Sequence, residues 1–164
     1  MPHITVTRAA FAASLASAIG ALAFMRGARA GEQFAVTHSD AEWRRLLGPA
    51  RYQILRENGT EPPGSSPLNN EHRAGLYSCA GCELALFPSK TKYDAGEGWP
   101  SFYAALPGAI NTHADYELLA PRTEAHCRRC GSHLGHIFDD GPQPTGKRYC
   151  IDGLALKFAP GRSA

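Results

Sequence analysis

The feature that most constrains this chain is the division of its five cysteines into four plus one. Cys79-Ala80-Gly81-Cys82 and Cys127-Arg128-Arg129-Cys130 form two Cys-x-x-Cys pairs, whereas Cys150 stands alone. Two close pairs of thiolates are the ligand set that a tetrahedral structural zinc ion prefers. If one Zn²⁺ takes all four, Cys150 is the only thiol that can react. The pattern therefore predicts a scaffold site and one candidate nucleophile.

The predicted zinc site is structural, because four sulfur ligands leave no open coordination position for chemistry. Gly81 and Gly131 accompany the two pairs, and glycine tolerates the positive φ that tight metal-binding turns need. The two pairs lie far apart in the sequence, so the ion would join two distant hairpins of a larger sheet. Disulfides, or a redox dithiol in one Cys-x-x-Cys, are the alternatives for these cysteines.

The first thirty residues differ in composition from the rest. Arg8 precedes an apolar, alanine-rich run over Ala9–Met25, and Ala28-Arg29-Ala30 follows. A basic start, an apolar middle and a small-x-small end are typical of a secretory signal peptide. We therefore predict an export leader over residues 1–30, one domain over residues 31–164, and a periplasmic or otherwise exported location.

Other interpretations of the leader stay open. The apolar run is near the lower length limit for a membrane span, so a retained leader would anchor the protein in the membrane. A mitochondrial presequence is a further alternative. The whole chain has 17 Lys and Arg against 15 Asp and Glu, and cleavage would remove three arginines, which leaves a net charge of −1. This balance gives no indication of nucleic-acid binding, and no stable membrane association is expected after cleavage.

The predicted elements are two short helices followed by a β domain. Ser39-Asp40-Ala41-Glu42 predicts a capping box, and Gly48-Pro49 predicts a break before a second helix that runs to about Asn58. From Gly75 onward, short apolar runs alternate with glycine and proline turns, which is typical of antiparallel strands. The predicted strands are Gly75–Cys79, Leu84–Phe87, Ile110–Leu119 and Arg148–Phe158.

The surroundings of Cys150 in the sequence suggest a reactive site. Strand alternation places Arg148, Cys150 and Asp152 on one face, and a nearby guanidinium lowers the pKa of a cysteine. An inert buried cysteine is the alternative. His133 and His136 could donate protons beside such a thiol, although single histidines are often plain polar residues. Trp99 follows a glycine-rich turn and could form a pocket wall or belong to the core.

Taken together, these segments resemble the B-type methionine sulfoxide reductases, which act on the R epimer of methionine sulfoxide. The resemblance runs from about Ser39 to Phe158, most of the chain after the leader. Its motifs are Thr60-Glu61-Pro62-Pro63, Cys79-Ala80-Gly81-Cys82, Gly98-Trp99-Pro100-Ser101-Phe102-Tyr103, His133-Leu134-Gly135-His136, Asp140-Gly141-Pro142 and Arg148-Tyr149-Cys150-Ile151.

The resemblance implies a mainly β fold of the Mss4-like β-tent type, with two small antiparallel sheets and a four-cysteine zinc site away from the chemistry. It implies that Cys150 attacks the sulfoxide sulfur and that Arg148 supports its thiolate. It further implies that Trp99, with Phe102 and Asp152, binds the substrate, and that His133, His136 and Asp140 bind and protonate the sulfoxide oxygen. A non-catalytic zinc-knuckle domain that binds a partner protein is the alternative function.

Two positions depart from the family pattern. Many members carry a resolving cysteine where this chain has Glu97, and no spare cysteine exists elsewhere. An external reductant, either a thioredoxin-like protein or a small thiol, would therefore have to recycle the enzyme. The second departure is Asp152, where the family usually has asparagine. A carboxylate there would raise the pKa of Cys150.

Overall fold

The computed structural model describes residues 32–162 except residue 119. The predicted export leader therefore lies outside the described residues. Among the helices of the described part, none is both long and apolar enough to cross a membrane.

Helix α1 (Asp40–Glu57) consists of two helical segments that meet at Gly48. The Ser39 hydroxyl accepts the Glu42 N–H, and the Glu42 carboxylate accepts the Ser39 N–H, which together make the predicted capping box. Gly48 has φ +68° and ψ 170°, so the backbone leaves the helix at this residue before Pro49 begins the second segment. The predicted break is present, and Asn58 closes the helix with a left-handed φ of 55°.

Nine strands form two antiparallel sheets in the described residues. Sheet A has three strands in the order β2-β1-β9, and sheet B has six in the order β3-β4-β8-β7-β6-β5. The strands are β1 (Gly75–Cys79), β2 (Ala85–Pro88), β3 (Lys92–Tyr93), β4 (Ser101–Phe102), β5 (Ile110–Asp115), β6 (Arg122–Cys127), β7 (His133–Phe138), β8 (Arg148–Ile151) and β9 (Leu156–Pro160).

The strand predictions are right in type and only partly right in extent. Gly75–Cys79 is a strand with the predicted bounds, and the second strand is shifted by one residue. The predicted strand Arg148–Phe158 is wrong as a single element, because a 3-10 turn at Gly153–Ala155 divides it into strands of different sheets. The predicted strand that begins at Ile110 ends at Asp115.

One face of sheet B carries a row of directly paired polar residues. Ser101 pairs with Cys150, Cys150 pairs with His136, and Glu124 lies between His136 and His113 in the neighbouring strands. Directly paired residues in antiparallel strands project to the same face. The sheet therefore brings the lone cysteine, two histidines and a buried carboxylate onto one surface.

A β-bulge lets His133 join this face. Strict alternation would place His133 and His136 on opposite faces, because they are three residues apart. Between Ala125 and His126 the register shifts, so that Leu134 is an extra residue in β7. The two imidazole rings then lie 5.4 Å apart. Leu134 itself is fully buried in the apolar core.

Candidate active site and metal centre

The two Cys-x-x-Cys pairs come from different sheets and meet at one point. Cys79 ends β1 in sheet A, and Cys127 ends β6 in sheet B. All four sulfurs lie within 4.8 Å of one another. A metal ion at this point would therefore join the two sheets, whereas the spacing of the pairs predicted that it would join two hairpins of one larger sheet.

The spacing of the sulfurs fits a tetrahedral ion and not disulfides. The Cys79 and Cys130 sulfurs are 3.8 Å apart, and those of Cys82 and Cys127 are 3.5 Å apart. A tetrahedral zinc with bonds of about 2.3 Å separates its sulfurs by about 3.8 Å. A disulfide needs about 2.05 Å, and all five cysteines are free thiols. The cluster is therefore a candidate metal site whose soft ligands suit zinc.

The glycine prediction holds for one of the two metal-binding turns. Gly131 has φ +66° after the second pair, as expected. In the first turn, however, the left-handed residue is Glu83 with φ 62°, and not Gly81. Gly81 has a different role, because a Cβ there would crowd the hydroxyl of Ser132 at 3.0 Å. The prediction for Gly81 was therefore wrong about the backbone angle.

Cys150 opens into a small pocket on the polar face of sheet B. The pocket has a volume of about 130 Å³ and is lined by Thr60, Trp99, Arg122, Gly135, His136, Phe138, Cys150 and Asp152. It combines a thiol, an imidazole, an indole and a second aromatic ring. Such a pocket can hold a small group with one apolar and one polar side. A larger groove of about 790 Å³ elsewhere is lined by neither a cysteine nor a histidine.

Each of the two histidines is held by a buried or partly buried carboxylate. His133 Nδ1 lies 2.6 Å from Glu124 Oε1, and His136 Nε2 lies 2.8 Å from Asp115 Oδ2. Arg122 Nη2 donates to the same Asp115 oxygen at 2.6 Å. A carboxylate partner fixes the tautomer and the orientation of an imidazole. Neither carboxylate partner was predicted from the sequence, because only the strand register brings it to its histidine.

Comparison with known proteins gives a clear family. The SelR domain family matches residues 47–160. The peptide methionine sulfoxide reductase MsrB of Agrobacterium fabrum is 52% identical over 126 residues, which cover 76% of this chain and 93% of that protein. This chain belongs to the MsrB family.

Two further relatives bear the same name. The MsrB of Leifsonia xyli is 49% identical over 78% of this chain and 94% of that protein. The MsrB of Methanosarcina barkeri is 47% identical over 77% of this chain and 89% of that protein. The family resemblance of the motifs is therefore confirmed.

Four of the predicted MsrB site residues meet in the pocket, and the others do not line it. Trp99, His136, Cys150 and Asp152 are the four. His133 is buried behind them, and lines a neighbouring polar cavity of about 40 Å³ together with His136. Its Nε2 lies 3.9 Å from Asp152 Oδ2. His133 can therefore act on the pocket only through its neighbours or after a small movement.

Phe102 does not line the pocket, in contrast to its predicted contact with the substrate. It is fully buried, and its ring stacks on Phe87 with centroids 4.3 Å apart. Phe102 pairs with Tyr149, the residue before Cys150, so its side chain projects to the apolar face of sheet B. Its neighbour Ser101 faces the thiol instead.

Arg148 and Asp140 form a support behind the pocket wall. The Arg148 guanidinium donates two hydrogen bonds to the Asp140 carboxylate, at 2.8 and 2.7 Å. The same guanidinium lies 4.4 Å from the centre of the Phe138 ring, which lines the pocket. Asp140 is exposed, and it acts on the site by fixing Arg148. The structure therefore places both residues outside the pocket lining.

Burial, and not the guanidinium, dominates the ionisation of Cys150. Burial has the largest effect and raises the pKa of this thiol to about 11. The Arg148 guanidinium opposes this rise, and the charges of Asp152 and Glu97 add to it. The sequence correctly predicted the opposing effects of Arg148 and Asp152. The expectation of an acidic resting thiol was wrong, because strand β8 holds the sulfur in a partly closed pocket.

Glu61 connects the two sides of the pocket, and no role was predicted for it. Its buried carboxylate accepts the N–H groups of Gly153 and Leu154, which follow Cys150 in the chain. Its own N–H donates to Asp152 at 2.9 Å, and its carbonyl accepts the Trp99 indole N–H at 3.0 Å. The only sequence signal for Glu61 was its place in the Thr60-Glu61-Pro62-Pro63 motif.

Replacing Glu61 with glutamine should loosen this connection. The amide group can accept at one atom only, so the N–H of either the buried Gly153 or the partly buried Leu154 loses its partner. Leaving a buried donor unsatisfied costs about 1–3 kcal/mol. Urea unfolding should therefore show a loss of stability of this order in Glu61→Gln. Glu83→Gln, at an exposed carboxylate that pairs with Lys157, is the matched control and should change little. Equal effects of the two variants would contradict the role given to Glu61.

Proposed function

We propose that this chain reduces the R epimer of methionine sulfoxide, in proteins or as the free amino acid, to methionine. The observation that carries the proposal is the shared pocket of Cys150, Trp99 and His136. The pocket places a nucleophile, an aromatic surface and a proton-carrying group around one small space. Membership of the MsrB family supports the same reaction.

The reaction transfers one oxygen atom to the protein. The Cys150 sulfur attacks the sulfoxide sulfur while the sulfoxide oxygen receives a proton. The oxygen then passes to the Cys150 sulfur, as both its bond to the substrate sulfur and the new bond between the two sulfurs break, and it remains on Cys150 as a sulfenic acid. The substrate sulfur gains two electrons and leaves as methionine, while the cysteine sulfur loses two. The thiol proton ends on the transferred oxygen, so no proton is consumed overall.

The raised pKa of Cys150 shapes this step. Because the resting thiol is protonated near neutral pH, the thiol proton is available when the sulfoxide oxygen needs one. Burial also lowers the pKa of His136, so its imidazole is neutral and can relay that proton. Attack and proton transfer are then coupled in one site.

The pocket offers different subsites for the groups on the substrate sulfur. Trp99 would receive the methyl group, because an aromatic face suits an apolar group. His136 would face the oxygen, with His133 behind it. The chirality at sulfur then fixes which epimer presents its sulfur to Cys150. Arg148 and Asp140 support this arrangement from behind Phe138.

Recycling needs electrons from outside the chain. The other four cysteines form the metal cluster, so the sulfenic acid has no internal thiol to condense with. An external thiol would attack it, release water and form a mixed disulfide, which a second thiol then resolves. A thioredoxin-like protein or a small thiol can supply both equivalents. We further propose that one structural Zn²⁺ occupies the four-cysteine site, and that residues 1–30 direct export.

A single-turnover experiment tests the proposed function. The reduced protein is mixed with the R and the S sulfoxide in separate reactions, without a recycling reductant. We expect about one methionine per chain from the R epimer and none from the S epimer. Release from both epimers would contradict the stereochemical assignment. Release from neither would favour a non-catalytic zinc-knuckle domain that binds a partner protein.

Asp152 gives a prediction with a defined pH dependence. Burial raises the pKa of this carboxyl to about 6, from an ordinary value of 3.8. The folded state therefore favours the protonated form, and this stabilisation is complete below about pH 4 and lost as the pH rises through about 6. An amide at this position carries no charge at any pH. Asp152→Asn should be more stable than the parent at pH 7, by up to about 3 kcal/mol, with no difference below pH 4.

The same variant should leave sulfoxide reduction equal or higher. Loss of the Asp152 charge lowers the pKa of Cys150, since that charge opposes the thiolate. Urea unfolding at pH 4 and at pH 7, with turnover at each pH, measures both effects. Asp139→Asn, at an exposed carboxylate, is the matched control and should shift neither. A loss of activity beyond about tenfold, equivalent to 1.4 kcal/mol, would contradict this view of Asp152.

A further inference from the structure

A second cluster of metal-binding side chains lies on the polar face of sheet B. His113 in β5 pairs directly with Glu124 in β6, and His126 follows Glu124 by two residues. Residues in these positions share one face of the sheet. Cys127 is the next residue after His126, and alternation therefore directs its side chain to the opposite face. None of the three lines the Cys150 pocket.

The donor atoms of the three side chains converge on one point. His113 Nδ1 lies 2.5 Å from Glu124 Oε2, and His126 Nδ1 lies 3.8 Å from the same oxygen. All three donor atoms lie within 4.8 Å of one another. A tetrahedral ion with bonds of about 2.0–2.2 Å holds its ligand atoms about 3.3–3.6 Å apart. The two spacings to Glu124 bracket this range, so small side-chain shifts suffice.

Two of the three side chains in this cluster are buried, and the third is exposed to solvent. Glu124 is 2% exposed and His126 is 1% exposed, whereas the side chain of His113 is 42% exposed. The Phe34 ring stands edge-on to His126, with centroids 6.1 Å apart, and shields it from solvent. An ion could enter past His113 and keep a water or another ligand in its remaining position.

We propose that His113, Glu124 and His126 bind a second, divalent transition-metal ion. Two imidazoles and one carboxylate suit Zn²⁺, Ni²⁺ or Cu²⁺, and they lack the oxygen-rich shell that Mg²⁺ and Ca²⁺ need. The site is distinct from the four-cysteine cluster in its position and in its ligands.

The proposed site is linked to the active site through Glu124. Its Oε2 would bind the ion, and its Oε1 already holds His133 Nδ1 at 2.6 Å. A carboxylate that bridges a metal ion and a histidine shares its negative charge with the ion. The strength of its hydrogen bond to the histidine therefore changes when the ion binds. This consequence rests on the proposed function. We expect the bound ion to slow sulfoxide reduction.

Titration with Ni²⁺ tests the site without any reference to activity. The tag-free, full-length protein carries the change Cys150→Ser to remove a competing thiol, and its four-cysteine site is first filled with one zinc. Calorimetry should show uptake of one further equivalent, with the zinc retained in subsequent metal analysis. His113→Gln removes the most exposed ligand and should weaken this uptake by more than about tenfold, the cost of losing even an outer-shell partner.

His72→Gln is the matched control, because His72 is exposed and lies outside the cluster. It should bind Ni²⁺ like the parent. No uptake by the parent, or equal uptake in His113→Gln, would overturn the metal assignment. The activity arm uses chains with an intact Cys150, where Ni²⁺ should inhibit the parent and spare His113→Gln. Ni²⁺ binding that leaves reduction unchanged would overturn the link through Glu124 and leave the metal site itself in place.

Discussion

Cys150→Ser should abolish methionine release while the protein stays folded. A serine hydroxyl cannot accept the sulfoxide oxygen as a sulfenic acid, and it is a far weaker nucleophile than sulfur. We expect the rate of sulfoxide reduction to fall by at least about 10⁴-fold. Chromatographic quantification of methionine, in the presence of excess dithiol, measures this loss.

The metal content and the melting temperature of Cys150→Ser are the controls for this variant. Cys150 lies on the polar face of sheet B, away from the four-cysteine cluster, so the serine variant should keep its metal and its melting temperature. Residual turnover within tenfold of the parent would show that another group carries the reaction. Loss of the metal in Cys150→Ser would show that the lone thiol belongs to the scaffold.

Cys127→Ser should show the opposite result to Cys150→Ser. It should lose the metal ion, and the protein should unfold as a consequence. The four sulfurs join the end of β1 in sheet A to the end of β6 in sheet B, and three of them are buried. Structural zinc contributes about 10–16 kcal/mol of apparent binding energy in small zinc domains at pH 7. This is comparable to or larger than the whole stability of a typical domain, which is about 5–15 kcal/mol.

Metal analysis and thermal unfolding measure this second effect. We expect less than one zinc per chain and a large fall in melting temperature, with any loss of turnover following the loss of structure. A chelator should unfold the parent in the same way. A Cys127→Ser protein that keeps both its melting temperature and its turnover would contradict the structural role of the cluster.

The sequence predicted those parts of the fold that depend on local chemistry. The capping box at Ser39, the break at Gly48 and the strand Gly75–Cys79 each follow from residues that are neighbours in the chain. The meeting of the two Cys-x-x-Cys pairs was also predictable, because a closed metal site requires all four sulfurs together. The family motifs identified Trp99, His136, Cys150 and Asp152, which share one pocket.

The remaining features depend on register and burial, which no local pattern encodes. The bulge at Leu134 decides that His133 and His136 share a face. The pairing of β6 with β7 brings Glu124 to His133. Phe102 lies in a strand of two residues, which is too short to show the alternation of apolar and polar residues that identifies a strand. For the same reason, Phe102 faced the core against expectation.

The ionisation of Cys150 shows the same limit. A sequence reveals the adjacent Arg148 and Asp152, whose charges oppose each other. It does not reveal how deeply the sheet encloses the sulfur, and this burial has the largest effect on the pKa. The same enclosure raises the pKa of Asp152, which the sequence suggested only as a charge near the thiol.

The mass of the intact protein after one turnover tests the central claim most directly. The reduced protein is mixed with the R sulfoxide, without reductant, and the mass of one part is measured at once, while a second part is treated with a carbon nucleophile specific for sulfenic acids. We predict the addition of one oxygen atom in the first part, in step with the methionine released, and in the second part the reagent in place of that oxygen, located at Cys150 by peptide mapping. An unchanged mass together with methionine release, or an oxygen located on one of the four clustered cysteines, would contradict the account.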